Sequence, residues 1–247
     1  MLVFMFAGLL VGSFLNMCID RFPREESIIN GRSHCDACGH TLRVIDLIPI
    51  VSYVFVRGHC HFCGVRISIR NLVVEIGTVF LFGIIWLRYP GSWETVLVAF
   101  YTSLLIVFLV IDLERGVILN RVSYPAIALA LLFALLVPER TALEMLAGGL
   151  IAFGVLLAFA LIFPSGMGMG DVKLAAFIGL AVGYPYVWLA LFLAFVIGGL
   201  IAGVLVLAKV VGRKDPIAFA PFLAAGAVFT LLFGEPILQW WTSGGIL

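Results

Sequence analysis

The stretch Ser165-Gly166-Met167-Gly168-Met169-Gly170-Asp171-Val172-Lys173 sets three alternating glycines and an aspartate between two apolar runs, residues 142–164 and 172–183. A carboxylate at the mouth of a hydrophobic segment is costly, and by default it marks a functional site. Alternating glycines allow positive φ and close approach to another chain. A carboxylate on such a turn suits a catalytic group that receives a peptide, provided a second group meets it.

Working outward, the chain has 247 residues, of which 63% are apolar and 12% charged. Soluble domains carry about 25% charged residues, so an ordinary soluble domain is excluded. Apolar runs of about 17 to 25 residues predict an all-α polytopic membrane protein. Eight spans are expected, at 2–19, 72–87, 96–111, 122–137, 142–163, 172–183, 187–211 and 217–233. The sixth is too short to cross upright. The first has no basic segment before it and reads as a retained span rather than a cleaved signal. The chain shows no internal repeat. The expected domains are a first transmembrane helix (1–19), a polar insertion (20–70) and a membrane core (71–247).

Charge sets the orientation. If the polar insertion is cytoplasmic and sides alternate, that side holds Arg21, Arg24, Arg32, Arg43, Arg57, Arg66, Arg70, Arg115, Arg121, Lys173, Lys209, Arg213 and Lys214. The other side holds only Arg88 and Arg140. Thirteen against two, of 15 basic residues, is a strong positive-inside bias and supports eight spans.

The same alternation brings Asp112, in Ile111-Asp112-Leu113-Glu114-Arg115, to the membrane level of Asp171, 59 positions further on. Two carboxylates in one site cannot both ionise comfortably, so one keeps a proton while the other acts as base. Such a pair can activate water against a peptide carbonyl and protonate the leaving amine. The competing reading makes both residues interfacial caps, and Asp171 as a helix N-cap is sensible chemistry. The residues alone leave the two readings level. Glu114 rivals Asp112, but two positions along a helix turn it to another side.

The insertion carries Cys35-x-x-Cys38 and, after 21 intervening residues, Cys60-x-x-Cys63. Two such pairs, each followed by glycine (Gly39, Gly64), match a four-thiolate zinc site in a reducing compartment. Metal would also hold this core-poor region folded. His34, His40, His59 and His61 lie nearby, but four thiolates complete the set without them. A closed set has no open position for substrate, so the zinc is expected to be structural. Unpaired reduced thiols are the alternative. Cys18, the odd cysteine, reads as a small apolar filler.

These features resemble the bacterial type IV prepilin peptidases over nearly the whole length. The resemblance rests on Gly12-Ser13-Phe14-Leu15-Asn16 with Arg21 and Pro23, the two cysteine pairs, and Ile67-Ser68 and Arg70 leading to Val74-Glu75. It continues through Asp112 with Asn120, Gly168-Met169-Gly170-Asp171-Val172-Lys173-Leu174, and Ala220-Pro221-Phe222-Leu223-Ala224. Presenilin-like proteases share Gly-x-Gly-Asp but carry Tyr-Asp where Ile111-Asp112 stands. The sequence departs from the family pattern at Asn71-Leu72, Leu119 and Ala220, where Tyr-Pro, proline and glycine are common.

The resemblance implies a bacterial inner-membrane, multi-pass aspartic peptidase with its zinc domain and active site on the cytoplasmic side. It would remove the basic leader of type IV prepilins or pseudopilins after a glycine, using Asp112 and Asp171. It would then N-methylate the new N-terminal residue, usually phenylalanine, with S-adenosylmethionine as co-substrate. Pilus, type II secretion and competence systems use such enzymes. Gly168, Gly170, Lys173 and Glu75 are expected to support the site, Glu75 by binding substrate or aiding methyl transfer. Asp36, Asp46, Glu25 and Glu26 are candidate contacts for the leader. No nucleic-acid partner is expected, and no Gly-rich fingerprint assigns an S-adenosylmethionine pocket. Three other readings remain: a peptidase without methyl transfer, an ion-coupled transporter with paired aspartates, and a non-catalytic zinc scaffold. A transporter predicts symmetry between halves and gives no reason for the cysteines.

Overall fold

The computed structural model describes residues 1–29, 31–35, 37–136, 141–163, 166–212 and 217–242. Asp36, Arg140, Ser165, Arg213 and Lys214, with residues 137 and 164, lie outside the described residues. The chain forms two compact units, Met1–Val107 and Phe108–Leu247.

In the first unit, α1 (Leu2–Arg21) ends on a basic residue and a Pro23-containing 3-10 turn. After a polar lobe with a short helix, α2 (Val51–Phe55), α3 (Ile69–Arg88) starts at Ser68, whose hydroxyl accepts the Arg70 N–H. Helices α1 and α3 pack closely because Gly8 and Gly12, one turn apart, remove side chains from the contact. A Cβ at Gly12 would lie 2.9 Å from the Glu75 Cα, and one at Gly8 would lie 2.8 Å from Phe82. This is the small-residue contact used between membrane helices. At one end, Arg70 donates to both Asp20 oxygens at 2.8 and 3.0 Å, tying the end of α1 to the start of α3. Buried Arg21 folds the following loop back by donating to the Ser27 and Gly31 carbonyls.

Helix α4 (Trp93–Arg115) crosses from the first unit into the second. It stops at Gly116, whose φ of +64° suits glycine and whose N–H returns to the Asp112 carbonyl. Helices α5 (Asn120–Leu136), α6 (Ala142–Ile162), α7 (Met169–Val182), α8 (Val187–Leu207) and α9 (Ala220–Thr242) follow. In this second unit α7 is the centre, packed by α6, α5 and α9. It is apolar nearly all round and buried from Val172 to Val182 apart from Lys173 and Ala176. A helix apolar on every face belongs inside a bundle.

Among the described residues, six helices, α1, α3, α4, α6, α8 and α9, are long and apolar enough to cross a membrane. Helices α5 and α7, of 17 and 14 residues, occupy the fourth and sixth expected spans. The last span shifts: α9 starts at Ala220, with Pro221 in its first turn, and continues through Pro236 to Thr242. Proline at a helix start removes no needed N–H.

Candidate active site and metal centre

Asp112 and Asp171 both belong to the second unit, and the structure brings them together closely enough for the charge on one to act on the other. Asp112 sits in the last turn of α4, 6% exposed. A carboxylate there opposes the helix dipole, so it is not a favourable cap. Its Oδ2 has no hydrogen-bond partner among the described residues. The compensation comes from α9, whose first N–H, that of Ala220, faces the Asp112 carboxylate. Glu114, the rival carboxylate, is exposed.

Asp171 is the third residue of α7. Its Oδ2 accepts the Gly168 N–H at 3.3 Å while its own N–H returns to the Gly168 carbonyl at 3.1 Å. Asp171 is thus the N3 residue of a capping box and not the N-cap, which is Gly168, and it stands near enough to Asp112 to feel its charge. One carboxylate oxygen satisfies a helix terminus, as a capping side chain does. The floor beneath the pair is apolar. Phe108, one turn before Asp112, meets Phe177 of α7 at 6.0 Å, and both are buried.

The glycines contribute unequally. Gly166, Gly168 and Gly170 all lie outside the positive-φ region, so conformational freedom is not their role. Close approach is, at Gly170: a Cβ there would stand 2.9 Å from the Ile118 Cβ, in the loop leaving Asp112. Lys173 spans the same junction, donating to Asn120 Oδ1 at 2.6 Å and lying 5.0 Å from the Tyr124 ring centroid. The sequence did not signal the contact that seats α7. A Cβ on Gly148 of α6 would fall on the Gly179 carbonyl, and one on Gly179 would fall on Gly148.

In the first unit the four cysteines converge. The sulfurs of Cys35, Cys38, Cys60 and Cys63 lie within 4.8 Å of one another, with Cys35 and Cys63 at 3.9 Å. Four thiolates about 2.3 Å from one zinc ion would sit roughly 3.8 Å apart, so the set fits a tetrahedral ion. The two knuckles repeat one geometry. Cys35 N–H bonds to the His40 carbonyl and Cys60 N–H to Val65, while the Gly39 and Gly64 N–H groups return to Cys35 and Cys60. Gly39 and Gly64 take φ of +69° and +71°, where a side chain would be strained. The N–H groups of Cys63 and Phe62 aimed at Cys60 pull its thiol down to about 7. The histidines stand outside the set; His59 Nδ1 pairs with the Arg57 carbonyl and His40 packs on Phe62. Cys18 is buried in α1.

Glu75 is 8% exposed on α3. Its Oε2 accepts the Ile50 N–H at 2.7 Å, and the side chains of Ser13 and Asn16 face it. It is therefore a buried acceptor. The remaining acids of the lobe divide. Asp46 accepts the Arg43 N–H at 3.0 Å and closes its own turn, whereas Glu25 and Glu26 are exposed.

Comparison with known proteins matches residues 6–89 to the Bacterial Peptidase A24 N-terminal domain and residues 99–203 to the Type IV leader peptidase family. The first range contains the four cysteines and Glu75, and the second contains both aspartates. The chain is similar to the prepilin leader peptidase/N-methyltransferase of Bacillus subtilis (strain 168), 34% identical over 234 residues covering 95% of this chain and 94% of that protein. Proteins of the same name from Aeromonas salmonicida (strain A449) and Pseudomonas aeruginosa are 29% and 28% identical. They align over 98% and 94% of this chain, and 93% and 90% of their own lengths. No solved structure matches.

Proposed function

The chain belongs to the type IV prepilin leader peptidase family, and from that premise we propose that Asp112 and Asp171 are the carboxylates with which it cuts. It is a multi-pass membrane enzyme, a leader peptidase with N-methyltransferase activity toward prepilins. The observation that carries the site is the buried, unpartnered Asp112 Oδ2 beside a second carboxylate held in place by Gly168.

In the proposed mechanism one carboxylate takes a proton from water as the oxygen attacks the scissile carbonyl. The other, protonated, polarises that carbonyl and then protonates the leaving amine. Phe108 and Phe177, buried and packed ring against ring, keep the surroundings of the pair apolar, and low local polarity strengthens each charge interaction. Gly170 sets the spacing, and Lys173 fastens the start of α5 to α7. Prepilins present a basic leader joined to an apolar helix, so the cut falls at the cytoplasmic face of the inner membrane. Substrates are the prepilins or pseudopilins of a pilus, secretion or competence system. Residues 1–19, 20–70 and 71–247 act as anchor, metal domain and peptidase core.

Zinc is the metal we assign to Cys35, Cys38, Cys60 and Cys63; when bound it cross-links two knuckles that have little apolar core of their own. After cleavage the freed N-terminal amine takes the methyl group of S-adenosylmethionine, losing a proton while the donor leaves as its thioether.

The test supplies prepilin and methyl-labelled S-adenosylmethionine to membranes containing the full chain. Wild type should release the leader and then label the new N-terminus. Asp112→Asn should do neither with prepilin, yet still label a pilin peptide supplied already trimmed. Cleavage by wild type without label selects a peptidase lacking methyl transfer. Loss of label on the trimmed peptide in Asp112→Asn would contradict the assigned role.

A further inference from the structure

The polar lobe carries a run of apolar side chains that the structure leaves uncovered. Ile45, Val54 and Phe55 are 72%, 63% and 83% exposed, and Leu47, Ile48 and Val51 are 43%, 41% and 44% exposed. These residues lie on a 3-10 turn, Val44–Leu47, and on α2, joined by Ile48-Pro49-Ile50. Six exposed large apolar side chains within eleven residues mark an interaction site.

One hydrogen bond fixes where the run sits. The Ile50 N–H is held by Glu75, the seventh residue of α3. Twenty residues of α3 extend about 30 Å, the thickness of a bilayer's hydrocarbon core. Glu75 is thus about 9 Å inside one end, and its side chain leans back toward that end. Ile50 therefore lies about one helical turn inside the span, the depth at which interfacial segments bury their apolar faces. It has φ of 60° and ψ of −51°, a conformation that a β-branched residue seldom takes, and it reverses the chain immediately after buried Pro49. The two limbs of this reversal carry the exposed apolar residues.

Charge points the same way. Exposed Arg43 and Arg57 bracket the run, and exposed Arg66 follows on the second knuckle. The one acid within the run, Asp46, is engaged with Arg43. Basic residues around an apolar insertion complement anionic headgroups.

We propose that residues 45–55 form a re-entrant interfacial loop that inserts Val51, Val54 and Phe55, with Ile45, Leu47 and Ile48, into the leaflet at the N-terminal end of α3. The occupant of this surface is lipid, and the metal lobe is thereby held down on the bilayer.

The test places the photoreactive residue p-benzoylphenylalanine at Phe55 in the full chain. The protein is reconstituted in nanodiscs of phosphatidylcholine with a minor share of phosphatidylglycerol. Adducts are identified by mass spectrometry. Control sites are Leu87, exposed on the α3 span, and Val65, exposed on the metal lobe. Lipid adducts at position 55 should match those at Leu87 and exceed those at Val65 by about tenfold. An aromatic replacing an aromatic keeps the fold. Lipid adducts no more abundant than at Val65 would overturn the proposal. So would cross-links from position 55 into added pilin, or into this chain, in place of lipid.

Discussion

Gly170 lies against Ile118 so closely that a single added carbon would come within 2.9 Å of the Ile118 Cβ. Ile118 belongs to the loop that leaves Asp112, and Gly170 immediately precedes Asp171. The contact therefore sets the spacing of the two aspartates. Gly170→Ala should push the carboxylates apart and lower the cleavage rate by about 10²-fold, the penalty of a misplacement near 1 Å. Adding Ile118→Gly, which removes the opposing Cβ, should restore part of that rate. A Gly170→Ala enzyme with unchanged kcat would show that this contact does not govern the site.

A second prediction concerns the seat of α7. Because Gly148 and Gly179 meet backbone to backbone, no side chain can rotate out of the way. Gly179→Ala should destabilise the second unit by about 1–3 kcal/mol, the usual cost of overpacking, and lower cleavage with it. Thermal unfolding in detergent, followed by helix signal and by activity, measures both. Gly154, around whose Cβ position the described structure is open, should accept alanine without loss.

Glu75 separates structure from chemistry. Glu75→Ala leaves the Ile50 N–H without its acceptor and should cost about 1–3 kcal/mol, with faster proteolytic cutting between residues 44 and 58. Glu75→Gln keeps an acceptor oxygen and should retain the fold. The glutamine variant then reads function alone. If it cleaves prepilin and methylates pilin as wild type does, Glu75 is a positioning residue for the Ile50 turn and has no role with substrate.

For the metal lobe, purified protein should carry one zinc ion per chain. Cys60→Ser or a strong chelator should remove the ion and expose the lobe to protease, while the membrane helices stay inserted. Four cysteines that bind no metal, or a lobe that keeps its protease resistance after chelation, would refute the assignment. Thiolate zinc sites contribute about 10–16 kcal/mol in small domains, so the effect should not be marginal.

The sequence carried the convergence of Asp112 and Asp171 through the count of spans and basic residues, without any distance. It carried the four-cysteine cluster through spacing and the glycine after each pair, because such a knuckle is a local object. Contacts between elements distant in the chain were not legible. Nothing in the string announces that Ala220 aims its N–H at Asp112, that Glu75 holds the Ile50 N–H, or that Gly148 faces Gly179. The glycine motif was half legible, since close approach occurs at Gly170 and positive φ at none of its three glycines. Cap and catalyst could not be separated at Asp171 from sequence, because one carboxylate can close a helix start and still face a second acid.

The most direct test of the aspartate pair is single-turnover cleavage of a prepilin by the purified chain in wild type, Asp112→Asn, Asp171→Asn and the double variant. Asparagine preserves size and, at position 171, an oxygen for the Gly168 N–H, so the helices should remain in place. Each single change should lower the rate by about 10²–10⁴-fold. The double variant should be no slower than the worse single, because the two act as one unit. Near wild-type cleavage by either single variant, or losses that multiply in the double, would contradict the pairing.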